Sequence, residues 1–248
     1  MDALKEQIIA GYEDVRQRIA WAAGRADRDP DEVTVVAVTK TWPAEVVIAA
    51  YEVGLRHFGE NRAGELEEKR AAVEAVLGPE SGIVWHLIGP LQSRKTQMAA
   101  DAAGTFHALD RLKIARRLSR HLEGTGRTLP VLLQVNISGE DSKHGFDATR
   151  WEDDKEQRVA LKDVARKIAG KPGLSLQGLM TMAPWQVEKE VVAAVFRRTH
   201  ALSVWLDDVV PEARWDTLSM GMSDDFELAV EYGATYVRIG RAIFGERR

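Results

Sequence analysis

The chain has 248 residues, a length that can bury roughly 70 to 75% of its unfolded surface without help from disulfides or metals. Lys plus Arg number 34 against 38 Asp plus Glu, a net charge of −4 that argues against a general nucleic-acid binder but leaves room for a local basic pocket. Cysteine is absent, which excludes thiolate metal sites, iron–sulfur clusters and cysteine nucleophiles, and no apolar stretch approaches the roughly 18 residues a membrane helix needs. The opening segment carries acidic residues and no apolar signal core, so a cytoplasmic location is the expectation.

Residues 2–23 place Leu4, Ile8, Tyr12, Val15, Ile19 and Ala22 at spacings of three and four, the stripe of an amphipathic helix ending near Gly24. From Val33 onward, short β-branched runs alternate with helix-patterned segments. The strands are expected at 33–38, 55–58, 83–88, 104–108, 130–135, 174–179, 215–218 and 235–239. The helices are expected at 43–53, 61–77, 94–102, 110–122, 155–169, 187–208 and 223–232. In the helix at 187–208, Val191, Val195, Leu202 and Leu206 read as core anchors, with Trp205 beside them, and 151–156 reads as a solvated helix entrance. Repeated strand-then-helix order signals parallel βαβ units. Eight of them fit a closed (β/α)8 barrel, with an open doubly wound sheet as the alternative. No linker composition interrupts the chain, so residues 1–248 read as one domain: a helix over 1–24 and a barrel over 33–245.

In such a barrel the residues just after each strand meet at one rim. Lys40 follows the apolar run VVAV, where burial would disfavour its ammonium form and make it a usable amine toward a carbonyl. The plain reading is a strand-end lysine snorkelling or pairing with Glu60. The segment LSMGMSDDFELAV offers Ser219 and Gly221 in a turn and Ser223 as a helix N-cap. VRIGRAIFG lets the backbone approach closely at Gly240, and phosphate sites in barrels often follow strands seven and eight. The six histidines form neither an i, i+4 pair nor an HxH, so no metal site is expected. GTGRT at 124–128 lacks the third glycine of a dinucleotide fingerprint and reads as a linker turn.

Six segments taken together carry a resemblance: AVTK at 37–40, HFGEN at 57–61, WHLIGPLQSRKT at 85–96, GLMTM at 178–182, LSMGMSDDFELAV at 218–230 and VRIGRAIFG at 237–245. In this order and spacing the chain resembles the pyridoxal phosphate homeostasis protein family. The resemblance implies a single TIM barrel like the alanine racemase N-terminal domain, and pyridoxal 5′-phosphate (PLP) held as a Schiff base on Lys40. It implies a phosphate cradle from Ser219, Gly240 and the backbone of Arg241, with Met220 and Asn61 lining the site, His86 near the ring and Arg238 facing the pyridine nitrogen. A guanidinium there does not protonate the ring nitrogen as a carboxylic acid would, so the ring would stabilise substrate carbanions poorly. Position 241 is usually threonine in this family and is arginine here. Lys143, in the loop SGEDSKHGF, matches a lysine of relatives and is a candidate secondary PLP site.

The function so implied is non-catalytic: intracellular PLP buffering or delivery, by an expected monomer, to apo PLP-dependent enzymes, with no nucleic acid, membrane or metal involved. Two alternatives stand beside it. One is a PLP-dependent amino-acid racemase or decarboxylase using Tyr232, Tyr236 or His86 as a base. The other is a Schiff-base aldolase without cofactor, whose phosphate cradle holds a sugar phosphate.

Overall fold

The computed structural model describes residues 2–140 and 144–246. Eight strands close a parallel barrel: β1 (Thr34–Val38), β2 (His57–Glu60), β3 (Val84–Leu87), β4 (Thr105–Leu109), β5 (Leu129–Asn136), β7 (Leu174–Met180), β8 (Thr217–Ser219) and β9 (Tyr236–Ile239). Neighbouring strands pair in order around the ring, with β9 returning to β1, so the open-sheet alternative is excluded. A two-residue strand, β6 (Phe146–Asp147), pairs with the end of β5 outside the barrel and has no counterpart in the sequence pattern, being too short to show alternation.

Helices surround the barrel as the pattern predicts: α2 (Ala44–Glu52), α3 (Ala63–Leu77), α4 (Thr96–Ala102), α5 (Leu112–Leu122), α6 (Lys155–Ala169), α7 (Lys189–Val209) and α8 (Phe226–Glu231). The leading helix α1 (Asp2–Arg25) buries Ile8, Val15, Ile19 and Ala22. It lies against α8 and against α9 (Arg241–Phe244), a short helix the sequence pattern did not separate from the last strand. At Gly11 the two backbones nearly touch: a Cβ there would sit 2.6 Å from the carbonyl oxygen of Ala242.

Three expectations shift. Of the expected anchors of α7, Val195, Leu202 and Leu206 are buried, whereas Val191 is 46% exposed and its place in the stripe is taken by Val192, with Phe196 buried beside it. Trp151 is buried and packs on Trp205 at 6.0 Å between ring centroids, so only the remainder of 151–156 is solvated, with Asp154 capping α6. Strand β2 begins two residues later than expected, which draws Gly59 and Glu60 into the ladder instead of the rim loop.

Paired residues on adjacent parallel strands share a face. Val36 lies beside Arg238, Gly59 beside His86, and Ser219 beside Tyr236, all directed into the barrel. Val35, Ala37, Phe58, Trp85 and Leu87 point outward and form the apolar layer under the helices. Barrel interiors are commonly filled by branched aliphatic side chains. Here a belt of imidazole, phenol, hydroxyl and guanidinium replaces part of that filling.

Candidate functional site

The turn that carries Lys40 is fixed from outside the barrel. Thr39 directs its hydroxyl to Glu60 Oε1 at 2.7 Å, and its carbonyl oxygen accepts from Trp42 N–H at 2.9 Å and from Lys69 Nζ at 2.8 Å. Lys69, on α3, also donates to Glu60 Oε1 at 2.6 Å and to Glu65 Oε1 at 3.3 Å. Glu65 in turn accepts the N–H of Thr41, whose φ of 68° lies in the left-handed region. Glu60 Oε1 thus accepts from both Lys69 and Thr39. Lys69 and Glu65 were not singled out by sequence, and Glu60 only as a partner for Lys40, because an ion pair between a strand and the following helix looks like ordinary surface charge. By strand alternation, Thr39 faces outward and position 40 continues the inner column of Val36 and Val38; Lys40 itself is half-buried.

Beside this turn, Val38, Trp42, Gly240, Arg241, Gly245 and Glu246 line a cavity of about 310 Å³. A Cβ on Gly240 would approach the Val38 carbonyl oxygen to 3.3 Å, so the strand end bearing Lys40 and the start of α9 lie edge to edge. Arg241 is exposed and turns its guanidinium to Asp224 and, at 3.8 Å, Glu246. Ser223 does not cap α8, which starts at Phe226; its hydroxyl instead accepts from Ala242 N–H in the first turn of α9 at 3.4 Å, while Asp225 accepts from Met222 N–H. Asn61 opens onto a different, larger cleft of about 790 Å³, shared with Gly64, Gln92, Lys95, Arg111 and His144. Lys143 lies outside the described residues.

Ser219, Met220, Arg238 and His86 are buried, and three of them belong to one hydrogen-bonded chain. Arg238, 5% exposed, donates from Nη1 to Ser219 Oγ at 2.7 Å and from Nη2 to the Thr181 carbonyl oxygen at 3.0 Å. Ser219 Oγ meets His107 Nδ1 at 2.8 Å, His107 Nε2 meets His86 Nδ1 at 2.8 Å, and His86 Nε2 meets His57 Nδ1 at 2.9 Å. Tyr236 stacks on His107 and meets His86 edge-on. Burial pushes His86 down to about 3 and His107 well below the ordinary histidine value, so both rings are neutral at physiological pH. Burial also lowers Arg238 to about 10, leaving the guanidinium charged at neutral pH with hydrogen-bond partners that are themselves neutral.

His57 and His107 escaped the sequence reading because the histidines come from three successive strands at separations set by the intervening helices. The rings link edge to edge instead of converging, and among the described residues no cluster of three or more His, Asp or Glu could hold a metal. Of the bases considered for catalysis, His86 and Tyr236 lie inside the barrel within this chain, and Tyr232 closes α8.

The family described as alanine racemase, N-terminal domain, matches residues 12–248. Among curated relatives, the pyridoxal phosphate homeostasis protein of Escherichia coli is 40% identical over 233 residues, covering 94% of each chain. That of Pseudomonas aeruginosa is 42% identical over 94% of this chain and 93% of its own. A Bifidobacterium adolescentis protein of unknown function superposes with a TM-score of 0.86 at 32% identity, covering 98% of this chain and 97% of that one. PipY of Synechococcus elongatus, in a structure with PLP bound, superposes at 0.75 with 32% identity over 92% of this chain and 100% of its own. Alanine racemase of Corynebacterium glutamicum, at 17% identity and a TM-score of 0.66, shares the fold; this chain spans 62% of its length.

Proposed function

The chain belongs to the pyridoxal phosphate homeostasis protein family, and from that membership we propose that it binds PLP at the Lys40 rim and buffers or delivers it without turnover. The observation that carries the reading is Arg238: a buried cation whose hydrogen-bond partners Ser219 and Thr181 are neutral, and which Asp225 reaches through its charge alone, is further stabilised by an anionic ligand, and PLP is one. The residues fit the group. Lys40 continues the inner column above Val38, Gly240 presents backbone without a side chain, and the cavity of about 310 Å³ lies at the same strand ends. When bound, PLP supplies an aldehyde for reversible capture by an amine. Lys40 provides that amine, Ser219 and the backbone at 240–241 bind the phosphate, and Arg238 faces the ring nitrogen without protonating it. PLP bound to PipY, at 32% identity over nearly the whole chain, supports this assignment.

Borohydride reduction followed by peptide mass spectrometry tests it. A pyridoxyl group on Lys40 is the expected result, and a colourless protein that remains unmodified after incubation with PLP would overturn the reading. The carrier role is tested separately by incubation with L-amino acids in deuterated water. Lys40-dependent exchange of the α-hydrogen at enzyme-like rates would replace the carrier with a PLP enzyme.

A further inference from the structure

The histidine file climbs the barrel, from His57 at the first position of β2, through His86 and His107 in β3 and β4, to Ser219 at the last position of β8. Its far end is half-buried at His57, while His86, His107 and Ser219 have no exposed surface. A neutral imidazole has one N–H and one bare nitrogen, and every link needs one donor and one acceptor, so the file has two self-consistent arrangements. In the first, the Ser219 hydroxyl donates to His107 Nδ1, His107 Nε2–H to His86, His86 Nε2–H to His57, and His57 keeps its proton on Nε2, the nitrogen turned from His86. In the second, every ring carries its proton on Nδ1 and each donates the other way. Ser219 Oγ then accepts from both His107 and Arg238, which fills its lone pairs and leaves its own proton free to donate toward the rim.

Resting on the reading that Ser219 donates to the bound phosphate, we propose that the three imidazoles are a tautomeric relay coupling occupation of that anion site to protonation of His57. An acceptor at the rim selects the second arrangement. A positively charged His57 also selects it, because His57 Nδ1 must then donate and cannot accept from His86. Conversion between the neutral arrangements balances: one proton leaves His57 Nε2 to solvent, one is gained by Ser219 from the rim, and each ring between passes its proton one step along. The groups facing His57 are His86 from β3 and Tyr236 from β9, with His107 and Arg238 next in line and Asp216 acting on Tyr236. Two ligands that favour one state of a shared element help each other bind, and the help is reciprocal. PLP binding therefore raises the titration midpoint of His57, and each unit of that rise appears as an about tenfold difference in PLP affinity between its protonated and neutral forms.

Long-range ¹⁵N–¹H correlation spectra of the full-length protein, labelled at histidine, identify the protonated nitrogen of each ring before and after addition of PLP. The expected result is transfer from Nε2–H to Nδ1–H in His86 and His107 together with an upward shift of the His57 midpoint. In His107→Phe the visible band should persist while His57 stops responding to PLP. A visible band and a reducible Lys40 adduct with ring protons unmoved would overturn the relay alone, as would an unchanged His57 response in His107→Phe. Absence of both band and adduct would instead remove the binding reading beneath it, and the relay with it.

Discussion

Lys69 holds Glu60 and the carbonyl oxygen of Thr39 at once, so a single buried ammonium ties strand β2 and helix α3 to the turn that presents Lys40. Lys69→Met leaves Glu60 buried without its cation, and loss of one partner of a buried pair costs about 3 to 5 kcal/mol. Urea unfolding should show a deficit of that order, and a change below about 1 kcal/mol would mean the pair contributes little.

The same pair gives stability a pH dependence. Burial raises Glu60 from its ordinary 4.5 to about 7, against the opposing pull of Lys69 and Thr39. The folded state then holds this proton more tightly than the unfolded chain, so the contribution is fully present below 4.5 and is lost as pH rises through about 7. Comparing urea midpoints of the protein and Glu60→Gln across this window checks the sign: the protein should lose ground to the variant as pH rises, and an advantage growing with pH would refute it.

Lys40→Ala truncates the half-buried side chain that the turn after β1 presents. The folded variant should lose the visible band of bound PLP entirely. A band retained in Lys40→Ala would place the aldehyde on another amine.

Gly11→Ala probes the grip of α1 on α9. The added methyl would meet the backbone at Ala242 and Ile243, which cannot swing aside as a side chain tip can. Overpacking of this kind costs about 1 to 3 kcal/mol, and because Gly240 immediately precedes α9 the shift should also weaken PLP binding measured by equilibrium dialysis. Unchanged affinity would show that the start of α9 does not set the cradle.

Arg241→Thr exchanges an exposed cation, paired with Asp224, for the residue usual in this family. One added hydroxyl-to-phosphate hydrogen bond predicts about threefold to tenfold tighter PLP binding. Weaker binding would show that the guanidinium assists the cofactor despite facing Asp224.

The barrel was legible in the sequence because each strand and helix carries its own periodicity, and all eight barrel strands fall within two residues of expectation. The strand-end positions of Lys40, Gly240 and Ser219 were legible because each lies in a recognisable motif. The interior chain was not, since His57, His86 and His107 become neighbours only through strand register, and nothing local marks a histidine as inward-facing and partnered. The direction of the Arg241 side chain was equally hidden, as it depends on where Asp224 arrives from the preceding loop.

Strand β1 leads into the turn that presents Lys40 and is completed by β9, its neighbour in the barrel and the last of the described strands. A nascent chain emerging from the ribosome thus displays Lys40 long before it has Arg238 or Gly240. On the proposed assignment, an aldehyde that meets this lysine before translation reaches β9 finds no phosphate cradle to retain it, so cofactor loading waits for that strand.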